Sequence, residues 1–224
     1  MARLARIVVP DVPHHVTQRG NGRQQTFFGA DDYARYRDLL GRECHAADVE
    51  VWAWCLMPNH VHLILMPRDA DGLRRALSKV HRAYAGAIHA REKRSGHFWQ
   101  GRFGAVAMDE AHLAAAVRYV WHNPVRSGLV ARPRDWPWSS VHAHLSGADD
   151  GVTTTGPLDE RYPRLAGLLD AAGDDGEAHD RLRRAESIGR PLGSAAFVSA
   201  VETRLGRPVA ARKRGRKPRS ADIN

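Results

Sequence analysis

Three features of residues 13–126 predict an α+β fold. Extended and helical segments follow one another in the order β-α-β-β-α-β. Two of the strands meet at a tight turn, Met57-Pro58-Asn59, and so form a hairpin. The return arm of that hairpin is apolar on both faces from Val61 to Met66, as an interior strand must be. This is the split-βαβ, ferredoxin-like pattern, an antiparallel sheet whose third strand lies inside, beside the first. One more helix follows the fourth strand, then a helical C-terminal extension and a basic tail.

Each element has its own signal. Pro13 to Arg19 reads as the first strand, with Val16 and Thr17 favouring extension, and Gly20-Asn21-Gly22 closes it as a loop. Asp31 or Asp32 is placed to cap a helix whose stripe is Tyr33, Tyr36, Leu40 and Cys44. Val49 to Cys55 is the second strand and His60 to Met66 the third. Leu73, Leu77, Val80, Tyr84 and Ile88 fall on one face of a long helix, with Arg75, Lys79 and Arg82 on another. That basic stripe reads either as a solvated face or as a track for phosphates. Ala105 to Met108 is a short fourth strand. Asp109 then caps a helix expected to run to about His122 and to stop at Asn123-Pro124.

His60 and His62 stand two residues apart at the start of the third strand. Residues i and i+2 of a strand point to one face, so both imidazoles aim the same way. Two neutral imidazoles make half of a metal site, and without a third ligand the spacing proves little. The last helix offers that ligand. Tyr119 and Asn123 are four residues apart and share a helical face, while Leu113, Val117 and Val120 form the stripe that docks the helix on the sheet. If the polar face lies over the histidines, Asn123 adds an amide oxygen, and open positions on an octahedral ion remain for phosphate and water. Tyr119 is then placed to attack phosphorus. Taken alone, Tyr119 also reads as a half-buried aromatic and Asn123 as a helix C-cap. His14 and His15, on the neighbouring strand, are alternative metal ligands.

Three ordered segments extend the two-histidine signal: Pro58-Asn59-His60-Val61-His62-Leu63, Phe98-Trp99-Gln100-Gly101-Arg102-Phe103, and Arg118 to Arg126 with its Tyr119-Val120-Trp121-His122-Asn123-Pro124 core. Together they resemble the single-tyrosine HUH transposases, and most of all the REP-associated tyrosine transposases, which share an early segment like His15 to Gly20. The resemblance covers about residues 10–145. It implies cleavage of single-stranded DNA next to a hairpin, a 5′-phosphotyrosine intermediate, and a free 3′-OH that reverses the step and joins strands. By the same resemblance His60, His62 and Asn123 hold Mg²⁺ or Mn²⁺, and Tyr119 is the nucleophile. His122 stands where the family is expected to have an apolar residue, as a surface side chain or a proton carrier.

The net charge of +9 and a pI near 10.2 favour a polyanionic partner. The charge is uneven: residues 149–180 carry −7 and the rest +16. Arg19, Arg23, Arg102 and Arg126 flank the proposed site as phosphate contacts, and Trp99 and Phe103 are candidates to stack on unpaired bases, although either aromatic taken alone reads better as core packing. No run of 18 apolar residues exists, and Met1 to Arg6 lacks the apolar stretch of a signal peptide. Cys44 and Cys55 form no C-x-x-C, so a reduced, cytoplasmic, nucleoid-associated chain is expected, away from membranes.

Three segments are expected: a catalytic domain at 1–145, a helical extension at 146–206, and a basic tail at 207–224. Trp136 and Trp138 close the first. In the second, Leu165, Leu168 and Leu169 mark one helix, residues 177–188 another, and Ser194 caps a last one with the stripe Phe197, Val198, Val201 and Leu205. The final pair reads as a helix-turn-helix-like unit or as a packing appendage. Arg207 to Arg219 holds seven basic residues and no acid, and Arg214 and Arg216 are candidates for DNA contact. A monomer is favoured, with a dimer as the alternative. Two readings compete with DNA cleavage. One is a catalytically silent binder of DNA or RNA hairpins. The other is a zinc enzyme, against which the absence of H-E-x-x-H, H-x-E and C-x-x-C stands.

Overall fold

The computed structural model describes residues 6–170 and 176–210. Four strands, β1 (His14–Arg19), β2 (Val49–Met57), β3 (His60–Pro67) and β4 (Gly104–Ala107), form one antiparallel sheet in the order β2-β3-β1-β4. The third strand is interior, beside the first, as its two apolar faces required. Every residue of β3 after His60 is buried.

The alternation of side chains along β3 sorts the molecule into layers. Val61, Leu63 and Leu65 pack with Tyr36 and Leu40 of α1 (Ala30–Ala46) and with Leu73, Leu77 and Val80 of α2 (Gly72–Glu92). Ile64 and Met66 face the other way, against Leu113, Val117, Val120 and Trp121 of α3 (Glu110–Arg126). His60 and His62 share the parity of Ile64, so they belong to the α3 side.

Two helix boundaries differ from expectation. The N-cap of α1 is Gly29, and Asp32 lies inside the first turn. Its carboxylate accepts the Phe28 N–H at 2.9 Å and pairs with Arg91 near the end of α2, tying the two helices together. Helix α3 continues through Pro124 to Arg126, with Ser127 as its C-cap. Proline removes only the donor that would reach Val120 O, and close to a helix end that loss is small. The following N–H groups still close the turn, Ser127 N–H to Asn123 O at 3.0 Å and Leu129 N–H to Pro124 O at 2.9 Å. Asn123 is therefore an interior helical residue one turn beyond Tyr119, and the C-cap reading of it is corrected.

Helices α4 (Val141–Ser146), α5 (Gly156–Arg161), α6 (Leu165–Asp170) and α7 (Gly176–Ile188) add to the α3 side, where Leu158, Leu165, Leu169, Leu182 and Ala185 join its core. The tryptophans after α3 pack back as expected: Trp138 stacks on Tyr33 at 4.7 Å, and Trp136 donates to Leu56 O at 3.0 Å. Helix α8 (Ala195–Leu205) is capped by Ser194, whose hydroxyl accepts the Phe197 N–H at 3.1 Å. The connection between α7 and α8 is not a free helix-turn-helix turn. Leu192 forms a parallel bridge to Met108, donating to Ala107 O at 2.8 Å and accepting from Asp109 at 3.1 Å. It thereby covers backbone groups at the sheet edge that would otherwise be unpaired. No helix among the described residues is long and apolar enough to cross a membrane.

Trp121 anchors α3. It is fully buried and donates its indole N–H to Ser140 Oγ at 2.9 Å, and the same oxygen accepts the Trp54 N–H at 2.9 Å. Trp121→Ala should cost about 3–5 kcal/mol and lower the melting temperature by roughly 10 °C. A loss under about 1 kcal/mol in chemical denaturation would contradict this anchoring role.

Candidate active site

β1 and β3 place the first side chains. Their register sets Arg19 opposite His60, Thr17 opposite His62 and His15 opposite Ile64. Arg19, Thr17 and His15 therefore project to the same face as the histidine pair. Helix α3 crosses that face and brings Tyr119 and Asn123 down on it. The Tyr119 ring lies edge-on to His62, with centroids 5.2 Å apart, and edge-on to His15 at 5.8 Å. The Asn123 carboxamide meets the His62 Nε2 at 3.1 Å and also hydrogen-bonds His60 and the Tyr119 phenol. One amide thus touches both imidazoles and the phenol.

The outer nitrogens of the two imidazoles are engaged. His60 Nδ1 meets Asn59 Oδ1 at 2.6 Å, and His62 Nδ1 meets His15 Nε2 at 3.0 Å. Histidines that hold metals are oriented in this way by a partner on the nitrogen away from the ion. Nε2 of His62 faces Asn123, and Nε2 of His60 is the nitrogen that Asn59 leaves open. The donor set of two imidazoles and a carboxamide fits a divalent ion with several open positions, once the amide presents its oxygen.

Burial pushes both rings towards the neutral, ligating form. His60 falls to about 3, by burial first and then by the charge of Arg19, and His62 falls well below 6.5 by burial, then by the neighbouring imidazoles and Arg19. Tyr119 is only 4% exposed, and burial raises its phenol above 10. The negative charge of Glu186 raises it further, while the charge and hydrogen bond of Arg183 pull it down.

Arg183 and Glu186 come from α7 and were missed in the sequence reading, as was the approach of Glu186 to His15. Glu186 Oε1 lies 3.4 Å from His15 Nδ1, and burial lifts the carboxyl to about 7. A sequence signal for Glu186 does exist. It follows Leu182 by four residues and Ala185 by one, so it lies at the margin of the buried stripe of its helix.

Several other expected residues are placed elsewhere. His14 is buried with both ring nitrogens occupied, Nδ1 on Val12 O at 2.7 Å and Nε2 accepting the Val9 N–H at 3.1 Å, so it holds no metal. His15 meets His62 Nδ1 through its Nε2 at 3.0 Å, and its Nδ1 faces Glu186. Arg75, Lys79 and Arg82 project from α2, on the opposite side of the sheet from the histidines. Arg75 there pairs with Asp69 at 2.7 Å and Lys79 with Glu43 at 3.6 Å, so the stripe does not lead to the site. Trp99 donates to His81 O at 3.0 Å and packs beside Tyr84 and Phe98. Phe103 is buried beneath the Arg6 guanidinium. Both are engaged in packing. His122 bridges the Arg118 and Leu169 carbonyls at 3.0 and 3.1 Å, which joins α3 to α6. Arg23, Arg102 and Arg126 are exposed. Arg214 and Arg216 lie outside the described residues.

Comparison with known proteins agrees with the motifs. A family model described as "Transposase IS200 like" matches residues 8–123. A Haemophilus influenzae protein named for the REP-associated tyrosine transposases is 26% identical over 118 residues, covering 48% of this chain and 67% of that protein. The REP-associated tyrosine transposase of Escherichia coli K12 is 30% identical over 99 residues, covering 43% of this chain and 57% of that protein. This second match therefore spans little more than half of the relative's length. Among solved structures, one described as a REP-associated tyrosine transposase bound to a REP hairpin shares the fold, with a TM-score of 0.57 at 22% identity over 69% of this chain and 92% of that chain. Matched over more than half of its residues, the chain belongs to the IS200-like transposase family.

Proposed function

We propose that this chain is a metal-dependent transferase of DNA strands, cutting single-stranded DNA beside a hairpin and rejoining it through a tyrosine-linked intermediate. The observation that carries the reading is the convergence within one chain of Tyr119, Asn123, His60 and His62, with the phenol ring 5.2 Å from the His62 ring. Family membership supports it. The hairpin in the description of the solved relative, together with the net charge of +9 here, supports hairpin DNA as the partner.

His60, His62 and Asn123 are the residues that would hold Mg²⁺ or Mn²⁺. When bound, such an ion supplies Lewis-acid polarisation of the scissile phosphate. The protein does the rest. Arg183 brings positive charge beside the phenol and Arg19 beside the histidine pair, and both meet the phosphodiester. The exposed Arg183 side chain swings off the phenol as the strand enters. The Tyr119 oxygen attacks phosphorus, the bond to the 3′-oxygen breaks, and the phenolic proton passes to the departing side. The products are a 5′-phosphotyrosine and a 3′-OH, and the reverse step rejoins the strand with no nucleotide cofactor. Arg23, Arg102 and Arg126 are proposed outer phosphate contacts. Catalysis is assigned to 1–145, with the extension at 146–206 contributing side chains from α7. A site complete in one chain supports action as a monomer.

The test is a labelled hairpin with a single-stranded flank, incubated with the protein and Mn²⁺ and resolved under denaturing conditions. A covalent adduct is expected, mapping to the peptide that contains Tyr119. EDTA should abolish it, and His60→Ala should reduce it by at least about 100-fold while hairpin retention in a gel shift persists. Hairpin binding with no adduct under any metal would leave a silent hairpin binder as the correct reading.

A further inference from the structure

His15 and His62 are joined by one proton, and its position decides which nitrogen of His62 is open. Their ring centroids are 5.2 Å apart, the planes differ by 5°, and Nε2 of His15 lies 3.0 Å from Nδ1 of His62. Parallel imidazoles reach that combination only when they lie nearly in one plane, edge to edge. The contact is therefore an in-line N–H···N hydrogen bond, not a face-to-face stack. It also leaves no room for an ion between these two nitrogens, although His15, His62 and Glu186 place ligand atoms within 4.8 Å of one another.

The two rings alone allow either direction of donation. The groups at the ends of the chain select one. At the outer end, Glu186 Oε1 faces His15 Nδ1 at 3.4 Å, an ion-pair contact in which neither buried atom has a hydrogen-bond partner among the described residues. A carboxylate accepts and does not donate, and its charge favours an N–H on the nitrogen that faces it, so His15 carries its proton on Nδ1 and presents a bare Nε2. His62 must then donate from Nδ1, which leaves a lone pair on its Nε2. At the inner end, that is the nitrogen facing Asn123 at 3.1 Å. Donation in the other direction sets a lone pair against the Glu186 carboxylate and puts a proton on His62 Nε2, where an ion would bind.

We propose that Glu186 is a positioning residue which, through His15, locks His62 in the tautomer whose Nε2 is open to a metal ion. The inference rests on the metal-holding role of His60, His62 and Asn123. It assigns to α7, which lies outside the family-matched segment 8–123, a part in building the metal site. The order Glu186, His15, His62, ion is a carboxylate–histidine pair of the kind that supports metal ligands, lengthened by one imidazole.

The experiment uses the full chain, uniformly labelled with nitrogen-15 and free of metal, at about pH 8, where a carboxylate is ionised. Long-range nitrogen–proton correlation reports which His62 nitrogen is protonated, with the signal assigned by its loss in His62→Gln. Nδ1 should be protonated in the wild type, and E186Q should mix the two tautomers. Mn²⁺ affinity, read from the free-ion EPR signal, should weaken by about 10-fold or more in E186Q. On an H15Q background, where the amide oxygen accepts from His62 directly, the further change E186Q should have no effect. A wild-type His62 protonated on Nε2, or an E186Q protein with unchanged tautomer and unchanged Mn²⁺ affinity, overturns the proposal. His60→Ala separates the two levels. If it retains Mn²⁺ binding, the metal-site reading itself fails. If it loses Mn²⁺ while E186Q is silent, only the role of Glu186 fails.

Discussion

Tyr119→Phe should eliminate the covalent DNA adduct, by on the order of 10⁴-fold or more, while hairpin affinity stays within about twofold. The substitution removes one oxygen and leaves the ring. The edge-on contacts with His62 and His15 persist, so the imidazoles stay in place. Of the groups that touch the phenol, Arg183 is exposed and turns to water, and Asn123 keeps its imidazole partners. The loss therefore isolates the nucleophile from the scaffold. Denaturing electrophoresis after incubation with labelled hairpin measures the adduct, and a gel shift measures binding. No other tyrosine is placed to substitute. Tyr33, Tyr36 and Tyr84 belong to the core on the opposite side of the sheet, and Tyr162 contacts Glu110 at the far end of α3. An adduct that survives in Tyr119→Phe would remove this residue from the chemistry.

The parts of the site that periodicity reaches were legible before any coordinates. The i, i+2 spacing of His60 and His62 put two imidazoles on one face of β3. The i, i+4 spacing of Tyr119 and Asn123 put a phenol and an amide on one face of α3. An interior position for β3 followed from its two apolar faces, and the sheet order agrees. Spacing failed where a contact joins distant segments. His15 and Glu186 meet across almost the whole chain, and no local period links them. Glu186 also sits in a helix whose neighbours include Arg183 and Arg184, which reads as a solvated surface. Pro124 misled for another reason. Proline is the strongest local stop signal, yet buried Trp121 and the contacts of α3 with the sheet hold the last turn in place. The aromatic residues of the Phe98 to Phe103 segment pointed to the family but left two environments open, since base stacking and core packing ask for the same side chains, and Trp99 and Phe103 take the core.

The same burial that keeps the imidazoles neutral makes the fold acid-labile, and the melting temperature should fall by roughly 10–20 °C between about pH 8 and about pH 5. Burial lowers His14 to about 4, His15, His60 and His81 to about 3, and His62 well below its ordinary 6.5. The unfolded chain takes up protons on these residues as the pH drops through about 6.5, and the folded chain does not. Stability is thus fully present above about 6.5 and is lost as the pH falls towards the folded values. At about pH 5 His14, His15, His60 and His81 each cost about 2 kcal/mol, or about 8 kcal/mol together, and His62 acts in the same direction. Glu186 acts with the opposite sign. Its carboxyl is held up to about 7 by burial, so the folded state gains protons first and recovers roughly 2–3 kcal/mol. The net loss of about 5 kcal/mol approaches the whole stability of a small domain, about 5–15 kcal/mol. His81→Gln tests the account at a position remote from the metal ligands, because the amide still accepts from the Tyr36 hydroxyl that now lies 3.0 Å from His81 Nε2. It should flatten the pH dependence by about a quarter of the four-histidine term. A melting temperature that stays level from pH 8 to pH 5 would mean that these imidazoles meet water in the folded protein, and the neutral, metal-ready pair at His60 and His62 would lose its physical basis.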